Sequence, residues 1–208
     1  MKIGELSEKY ESGGAGIGTI SSGWGDPGGK SYGTYQFSSN AGSLDEFVDW
    51  LQEKGYWFGA ELAKHPLTGA EFDAAWKWLA NSDNAKDFEE AQDKYVLEHY
   101  YDPAIAILRR IGYNIENHHE VMKQVVFSRA IQYGIGNIEE MWMDALDYLG
   151  YPTMSYVDGK NIDRAMIKAI YLGVCSSYGW NQSASRQALL DRFQSECEDA
   201  LALIPEGE

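Results

Sequence analysis

The chain has 208 residues, and its 17 Lys and Arg against 32 Asp and Glu give a formal net charge of −15 at pH 7. Such a surface repels nucleic acid and anionic lipid, so the charge argues against a nucleic-acid partner and against a membrane partner. Apolar stretches such as Ala104 to Leu108 fall far short of the roughly 20 residues that span a bilayer, and no export signal opens the chain.

The first predicted elements are a short helix and a small hairpin. Helical spacing of apolar residues covers residues 1–12, and the glycines that follow end this helix. Nine of the 22 glycines lie between Gly13 and Gly33. Short alternating stretches in this region predict an irregular β-hairpin that pairs Gly18–Ser21 with Tyr32–Phe37.

The remainder of the chain is predicted to be helical. Ser43 and Thr68 each begin a capping-box pattern, and Asn117 and Asn137 are read as further helix starts. Pro103 predicts that one helix stops near Asp102 and that another runs to Ile111, before Gly112. Further helices are predicted near residues 163–175 and 185–203. The predicted fold class is mainly α, of the α+β type, with the whole of 1–208 as one domain.

Two carboxylates are candidates for catalysis, one before the glycine-rich segment and one within it. Glu11 lies at the C-terminal end of the first predicted helix, where the helix dipole opposes ionisation of a carboxylate. A Glu that stays neutral near pH 7 in a cleft can act as a general acid. Asp26 follows across the predicted hairpin, and two carboxylates on facing walls of a groove are what glycoside hydrolysis requires.

Three short motifs carry a resemblance to known enzymes. Glu11-Ser12, Gly23-Trp24-Gly25-Asp26 and Gly33-Thr34-Tyr35-Gln36 resemble the catalytic strip of goose-type lysozymes and lytic transglycosylases. Ser21 to Ser39, with residues 98–104 and 128–134, resembles lysozyme-like peptidoglycan hydrolases of bacteriophages more closely. Proteins of that group occur as endolysins and in tail or secretion-spike proteins.

This resemblance implies a lysozyme-like fold and cleavage of the peptidoglycan glycan strand, most simply as an N-acetylmuramidase. It assigns Glu11 as the general acid and Asp26 as the residue that positions water, with no metal and no cofactor. The residues implied to bind the sugar chain are Trp24, Ser31, Tyr32, Tyr35, Gln36, Gln132 and Tyr133. Ser38 stands where goose-type enzymes carry a second Asp, so a lytic transglycosylase that uses Glu11 alone stays open.

Other readings of the residues remain. His118-His119-Glu120 suggests a metal site, but neighbouring residues on a helix point to different faces. A cysteine nucleophile would be Cys175 or Cys197, and Cys197 lies at helical spacing from apolar neighbours, as a core residue does. A chitosanase-like glycosidase and a non-catalytic protein, either glycan-binding or part of a tail, are further alternatives.

The expected partner is peptidoglycan polysaccharide. Because bacterial walls are polyanionic, a chain of charge −15 has no evident electrostatic attachment to them. A separate wall-binding module or a particle that carries the chain is therefore expected. The chain is expected to be made in a host cytoplasm without a signal peptide and to act on the wall after release or particle delivery. It is compatible with a piece of a longer modular protein.

Overall fold

The computed structural model describes residues 3–6, 16–22, 29–176 and 186–205, and these are mainly helical with one small antiparallel sheet. The mainly helical class with a small hairpin is therefore confirmed. The strands are β1 (Ser31–Tyr32) and β2 (Phe37–Ser38). The α-helices are α1 (Ser43–Glu53), α2 (Trp57–Leu62), α3 (Ala70–Asn81), α4 (Ala85–Val96), α5 (Asp102–Arg110), α6 (Glu120–Tyr133), α7 (Ile138–Leu149), α8 (Met154–Val157), α9 (Asp163–Ser176) and α10 (Arg186–Ala202).

The chain divides into two compact units. The hairpin unit is Glu11–Glu98, and the helical unit combines Met1–Tyr10 with His99–Glu208. Each unit has its own buried residues and is described separately below. Whether they form one folding domain, as the sequence predicts, stays a prediction.

An aromatic core holds the hairpin unit together. Phe47 of α1 is fully buried, and its ring stacks on Phe37 of β2 with 4.5 Å between centroids. Tyr95 of α4 and Trp76 of α3 meet the same Phe47 ring edge-on, at 5.1 and 5.9 Å. Because aromatic rings bury large areas and favour these offset geometries, this cluster fixes the small sheet against three helices.

The core of the helical unit surrounds α6. Buried side chains cover all sides of this helix, as expected for a helix that lies within a core. Gln124 of α6 is also buried, and its Oε1 accepts hydrogen bonds from the backbone N–H groups of Gly4 at 3.0 Å and Leu6 at 3.4 Å. The Gln124 amide therefore connects Gly4 and Leu6 to the central helix.

Most helix positions agree with the sequence, but the capping predictions at Ser43, Thr68 and Asn117 are wrong. The Ser43 hydroxyl accepts from the backbone N–H of Ser38 at 2.8 Å, so it does not cap its own helix. Thr68 lies in a turn with φ of 65°, and α3 begins two residues later. His119, not Asn117, caps α6, while Asn117 donates to Asp158 at 2.8 Å.

The predicted stop of a helix near Asp102 is not observed, because the chain stays helical up to Pro103 and beyond it. Leu97–Tyr101 form a π-helical turn that leads directly into α5, and Asp102 is the first residue of α5. Pro103 lies in the first turn of that helix, where a residue without an N–H is tolerated. The wide turn before it absorbs the change in hydrogen-bond register.

Candidate functional site

A small hairpin is present as predicted, but its strands β1 and β2 both lie within residues 31–38, at the second of the two stretches that were predicted to pair. Tyr32 pairs with Phe37, and the segment between them, predicted as strand, is a tight turn. The reason is backbone geometry, since Gly33 has φ of 74° and Gln36 has φ of 55°. Ile20 pairs with Tyr32 on the other edge, so the predicted pairing of the two glycine-rich stretches is confirmed at that point.

Gln36 adopts a backbone conformation that few residues other than glycine take. Its side-chain Nε2 donates to the Gly33 carbonyl at 2.8 Å, which closes the turn upon itself. A conformation of this kind costs about 1–3 kcal/mol and is concentrated at functional sites. The half-buried Gln36 therefore makes this turn a candidate functional element.

Helix α3 fixes the start of the hairpin through one carboxylate. The hydroxyl of Tyr32 donates to Asp73 Oδ1 at 2.5 Å, and Lys30 Nζ lies 2.6 Å from Asp73 Oδ2. Burial, followed by the contact with Asp73, raises the pKa of Tyr32 far above its ordinary value, so the hydroxyl keeps its proton. Tyr32 is fully buried and makes the contacts of a core residue; its assignment to the sugar chain stays a prediction.

Helix α4 holds the turn and the neighbouring loop. Gln92 is buried, and its Oε1 accepts from the backbone N–H of Thr34 at 3.2 Å while its Nε2 donates to the Ile17 carbonyl at 3.4 Å. Asp93 accepts from the Tyr35 hydroxyl at 2.7 Å. From α3, the Trp76 indole also donates to the Ile17 carbonyl, at 2.9 Å.

Side chains of α3 and α4 therefore hold this segment at Ile17, Lys30, Tyr32 and Thr34. Sequence reasoning did not select Asp73, Gln92 or Asp93. For Gln92 a signal exists, because it lies on the apolar stripe of its helix, one turn after Phe88 and next to Ala91. A buried amide on such a stripe needs partners, which here are backbone groups of the hairpin.

Substitution of Gly33 by Ala is expected to lower the free energy of unfolding by about 2–4 kcal/mol. A Cβ at this position would lie 2.3 Å from Gln92 Oε1, so the amide would lose its bond to Thr34. Gly55→Ala is the matched control, since Gly55 has φ of 77° but no atom within 4 Å of the added carbon. Urea denaturation should show the larger loss for Gly33→Ala, and equal losses would contradict the contact with Gln92.

The remaining predicted residues fall in different parts of the chain. Glu11, Trp24 and Asp26 lie outside the described residues. Ser31 is buried, and its backbone N–H donates to Ser21 Oγ at 2.8 Å. The hairpin thus brings together Ser31, Tyr32, Tyr35 and Gln36.

Gln132 and Tyr133 belong to the helical unit, at the end of α6. Gln132 Oε1 is buried and has no hydrogen-bond partner among the residues that the structure describes. Burial raises the pKa of Tyr133, whose ring packs 6.0 Å from Phe193. Their roles toward a sugar chain stay predictions.

The two cysteines lie on different helices of the helical unit. Both are half-buried, and burial raises the pKa of each thiol, that of Cys197 to about 11. Because the thiolate is the nucleophile, a raised pKa opposes nucleophilic catalysis near pH 7. These surroundings favour the structural reading of Cys175 and Cys197.

The His118 side chain is fully buried and contacts two carboxylates. Its Nδ1 lies 2.7 Å from Asp163 Oδ1 and its Nε2 lies 3.3 Å from Asp158 Oδ1, while its ring stacks on Tyr113 at 3.9 Å. These contacts give His118 a structural role that connects α9 to the segment before α6. No group of three or more His, Cys, Asp or Glu that could hold a metal occurs among the described residues.

None of the helices described combines the length and the apolar character that a membrane crossing needs.

Comparisons with known proteins give the chain a family. A family model described as "Type VI secretion system spike protein VgrG3-like, C-terminal" matches residues 3–196. The type VI secretion system spike protein VgrG3 of Vibrio cholerae serotype O1 is 36% identical over 132 residues, which are 64% of this chain and 12% of that protein.

The match overturns one expectation from the sequence. The prediction that the chain belongs to the bacteriophage lysozyme-like hydrolases is wrong, because the matching family is that of secretion-spike C-terminal regions. The motifs behind that prediction are short and concentrated between residues 10 and 40, whereas the family model covers residues 3–196.

Proposed function

The chain belongs to the VgrG3-like C-terminal family of type VI secretion system spike proteins, and on this basis we propose that it is carried on a spike as its C-terminal part. The matched relative is named a spike protein, and neither description names a reaction. They support the structural alternative, a tail component, more directly than an enzyme. Delivery with a particle would also bring the chain to the cell wall, to which its net charge of −15 gives it no electrostatic attraction.

We further propose that this spike-borne domain has a lysozyme-like fold and hydrolyses the glycan strand of peptidoglycan in the cell that the spike enters. The observation that carries this proposal is the clamped turn with the left-handed Gln36, because strain of this kind is retained where a site needs a fixed geometry. Asp73 and Gln92 hold that turn with hydrogen bonds of 2.5 and 3.2 Å. Ser31, Tyr35 and Gln36 would contact the sugar chain.

In the proposed reaction Glu11 protonates the glycosidic oxygen and Asp26 orients the attacking water. A neutral Glu suits the first role and an ionised Asp suits the second, since one group donates a proton and the other accepts a hydrogen bond. If Asp26 does not take part, Glu11 acts first as acid and then as base. The product then carries an anhydro sugar, as expected of a lytic transglycosylase.

Digestion of purified peptidoglycan, followed by mass spectrometry of the soluble fragments, tests the proposal. A muramidase releases fragments with muramic acid at the reducing end, and these differ in mass from anhydro products. Release of anhydro-muramic acid would show that the reaction is transglycosylation and not hydrolysis. Activity on chitosan alone would show that the substrate is a different polymer. If peptidoglycan yields no soluble fragments, the chain is a non-catalytic spike component.

A further inference from the structure

Two tryptophans of the hairpin unit are exposed to solvent. Trp57 is 49% exposed and Trp78 is 52% exposed, whereas Trp50, Trp76 and Trp142 are buried. The two exposed indoles meet edge-to-face, with centroids 6.0 Å apart and an interplanar angle of 71°. We call Trp57 and Trp78 the indole pair.

Helix geometry places the indole pair away from the clamped loop. Trp76 and Trp78 are two positions apart on α3, and such residues point to opposite faces of a helix. Trp76 faces the core and holds the Ile17 carbonyl, so Trp78 faces outward. The indole pair is therefore not part of the clamp that fixes the hairpin.

The surroundings of the indole pair leave the rings open. Ala74, one turn before Trp78, is exposed and too small to cover an indole. Glu61, one turn after Trp57, is bonded to the Lys64 ammonium, and this bond lowers the pKa of the Glu61 carboxyl. The Glu61 carboxylate is thus neutralised by its own partner.

We infer that the indole pair is a second glycan-binding site, which takes sugar rings by stacking on their C–H faces. The inference rests on the proposed function, because it assumes that the polymer is the wall glycan. A chain of charge −15 meets a polyanionic wall, so any surface of it that holds the glycan must do so without net charge attraction. Stacking of an indole on a sugar ring meets this condition.

A protein partner fits the indole pair less well. Fully burying a large aromatic side chain removes about 150–250 Å² from solvent. Two side chains that are already half-buried offer far less than the roughly 800 Å² per partner of a standard protein interface. The area suits a few sugar rings.

The test uses the full chain carrying Glu11→Gln, so that the ligand is not cleaved, and peptide-free glycan strands of peptidoglycan as the probe. In ¹⁵N-edited NMR the indole N–H signals of Trp57 and Trp78 should shift on titration, while those of Trp50, Trp76 and Trp142 stay in place. Raising the salt from about 50 to about 500 mM should not weaken binding, because no ion pair forms and salt screens the repulsion between the two negative charges. Shifts confined to other tryptophans, or no shift at saturation, overturn the inference.

Variants separate this site from the proposed catalysis. Trp57→Ala with Trp78→Ala should reduce affinity for the strands at least fivefold, whereas Tyr148→Ala, which removes an exposed aromatic ring of the helical unit, should not. The titration of Glu11→Gln leaves the indole pair unchanged, so a folding defect of the double variant leaves the test decisive. A wild-type chain that cleaves no strand, while the signals of the indole pair in Glu11→Gln still shift, would contradict the catalytic proposal alone. Unaltered affinity of the double variant would contradict the second site.

Discussion

Replacement of Glu196 by Ala is expected to lower the free energy of unfolding by about 3–5 kcal/mol. Glu196 of α10 is completely buried, and its Oε2 lies 2.6 Å from Arg129 Nη2 of α6. Its other oxygen accepts from the Ser128 hydroxyl. Removal of this carboxylate would leave the Arg129 guanidinium charged and buried without its counter-ion, which is the costly outcome for a buried pair.

Arg129 cannot move to water to avoid that cost. It is also fully buried, and its guanidinium lies over the rings of Tyr171 at 4.7 Å and Phe193 at 5.2 Å. Arg129→Met combined with Glu196→Leu removes both charges and keeps apolar volume, so the double variant should recover much of the loss. Recovery would show that the loss in Glu196→Ala comes from the isolated charge.

The chain contains a matched control for this pair. Arg110 Nη2 and Glu139 Oε2 are also 2.6 Å apart within the helical unit, but both side chains are exposed. Glu139→Ala should therefore cost less than about 1 kcal/mol, since water already solvates the remaining charge. Urea denaturation of the two single variants measures the contrast, and equal losses at the buried and exposed pairs would mean that burial does not set the cost.

Sequence reasoning located most helices because their signals are local. Gly150 ends α7 with φ of 73°, as a glycine after an amphipathic segment predicts. Gly112 has φ of 90° and follows α5 in the same way. Local rules did less well at helix starts, where Ser43 bonds to the hairpin instead of capping its own helix.

Features that depend on contacts distant in sequence could not be predicted. Glu196 lies at helical spacing from the buried Phe193 and Ala200, which indicates burial, but nothing local identifies its partner Arg129, 67 positions earlier. Asp73 and Gln92 hold the hairpin for the same kind of reason, since their partners lie 41 and 58 positions away. The sequence predicted strand where this turn lies, and packing against α3 and α4 decides what fixes the turn.

Glu11→Gln is expected to reduce the rate of glycan cleavage by about 10²–10⁴-fold, the usual contribution of a general acid. An amide has nearly the shape of the carboxylic acid but cannot give a proton to the leaving oxygen. The measurement is the release of soluble fragments from peptidoglycan. Glu53→Gln, an equal change at an exposed position of α1, is the control and should retain the wild-type rate.

Asp26→Asn beside Glu11→Gln distinguishes the mechanisms that stay open. If Asp26 orients the water, both variants lose activity. If Glu11 acts alone, only Glu11→Gln loses activity, and Asp26→Asn still releases fragments, which carry anhydro sugars. A Glu11→Gln variant as active as wild type would refute the assignment of the acid. The structural alternative makes a different prediction, because a spike component without catalysis gives no fragments with any of these variants, the wild-type chain included.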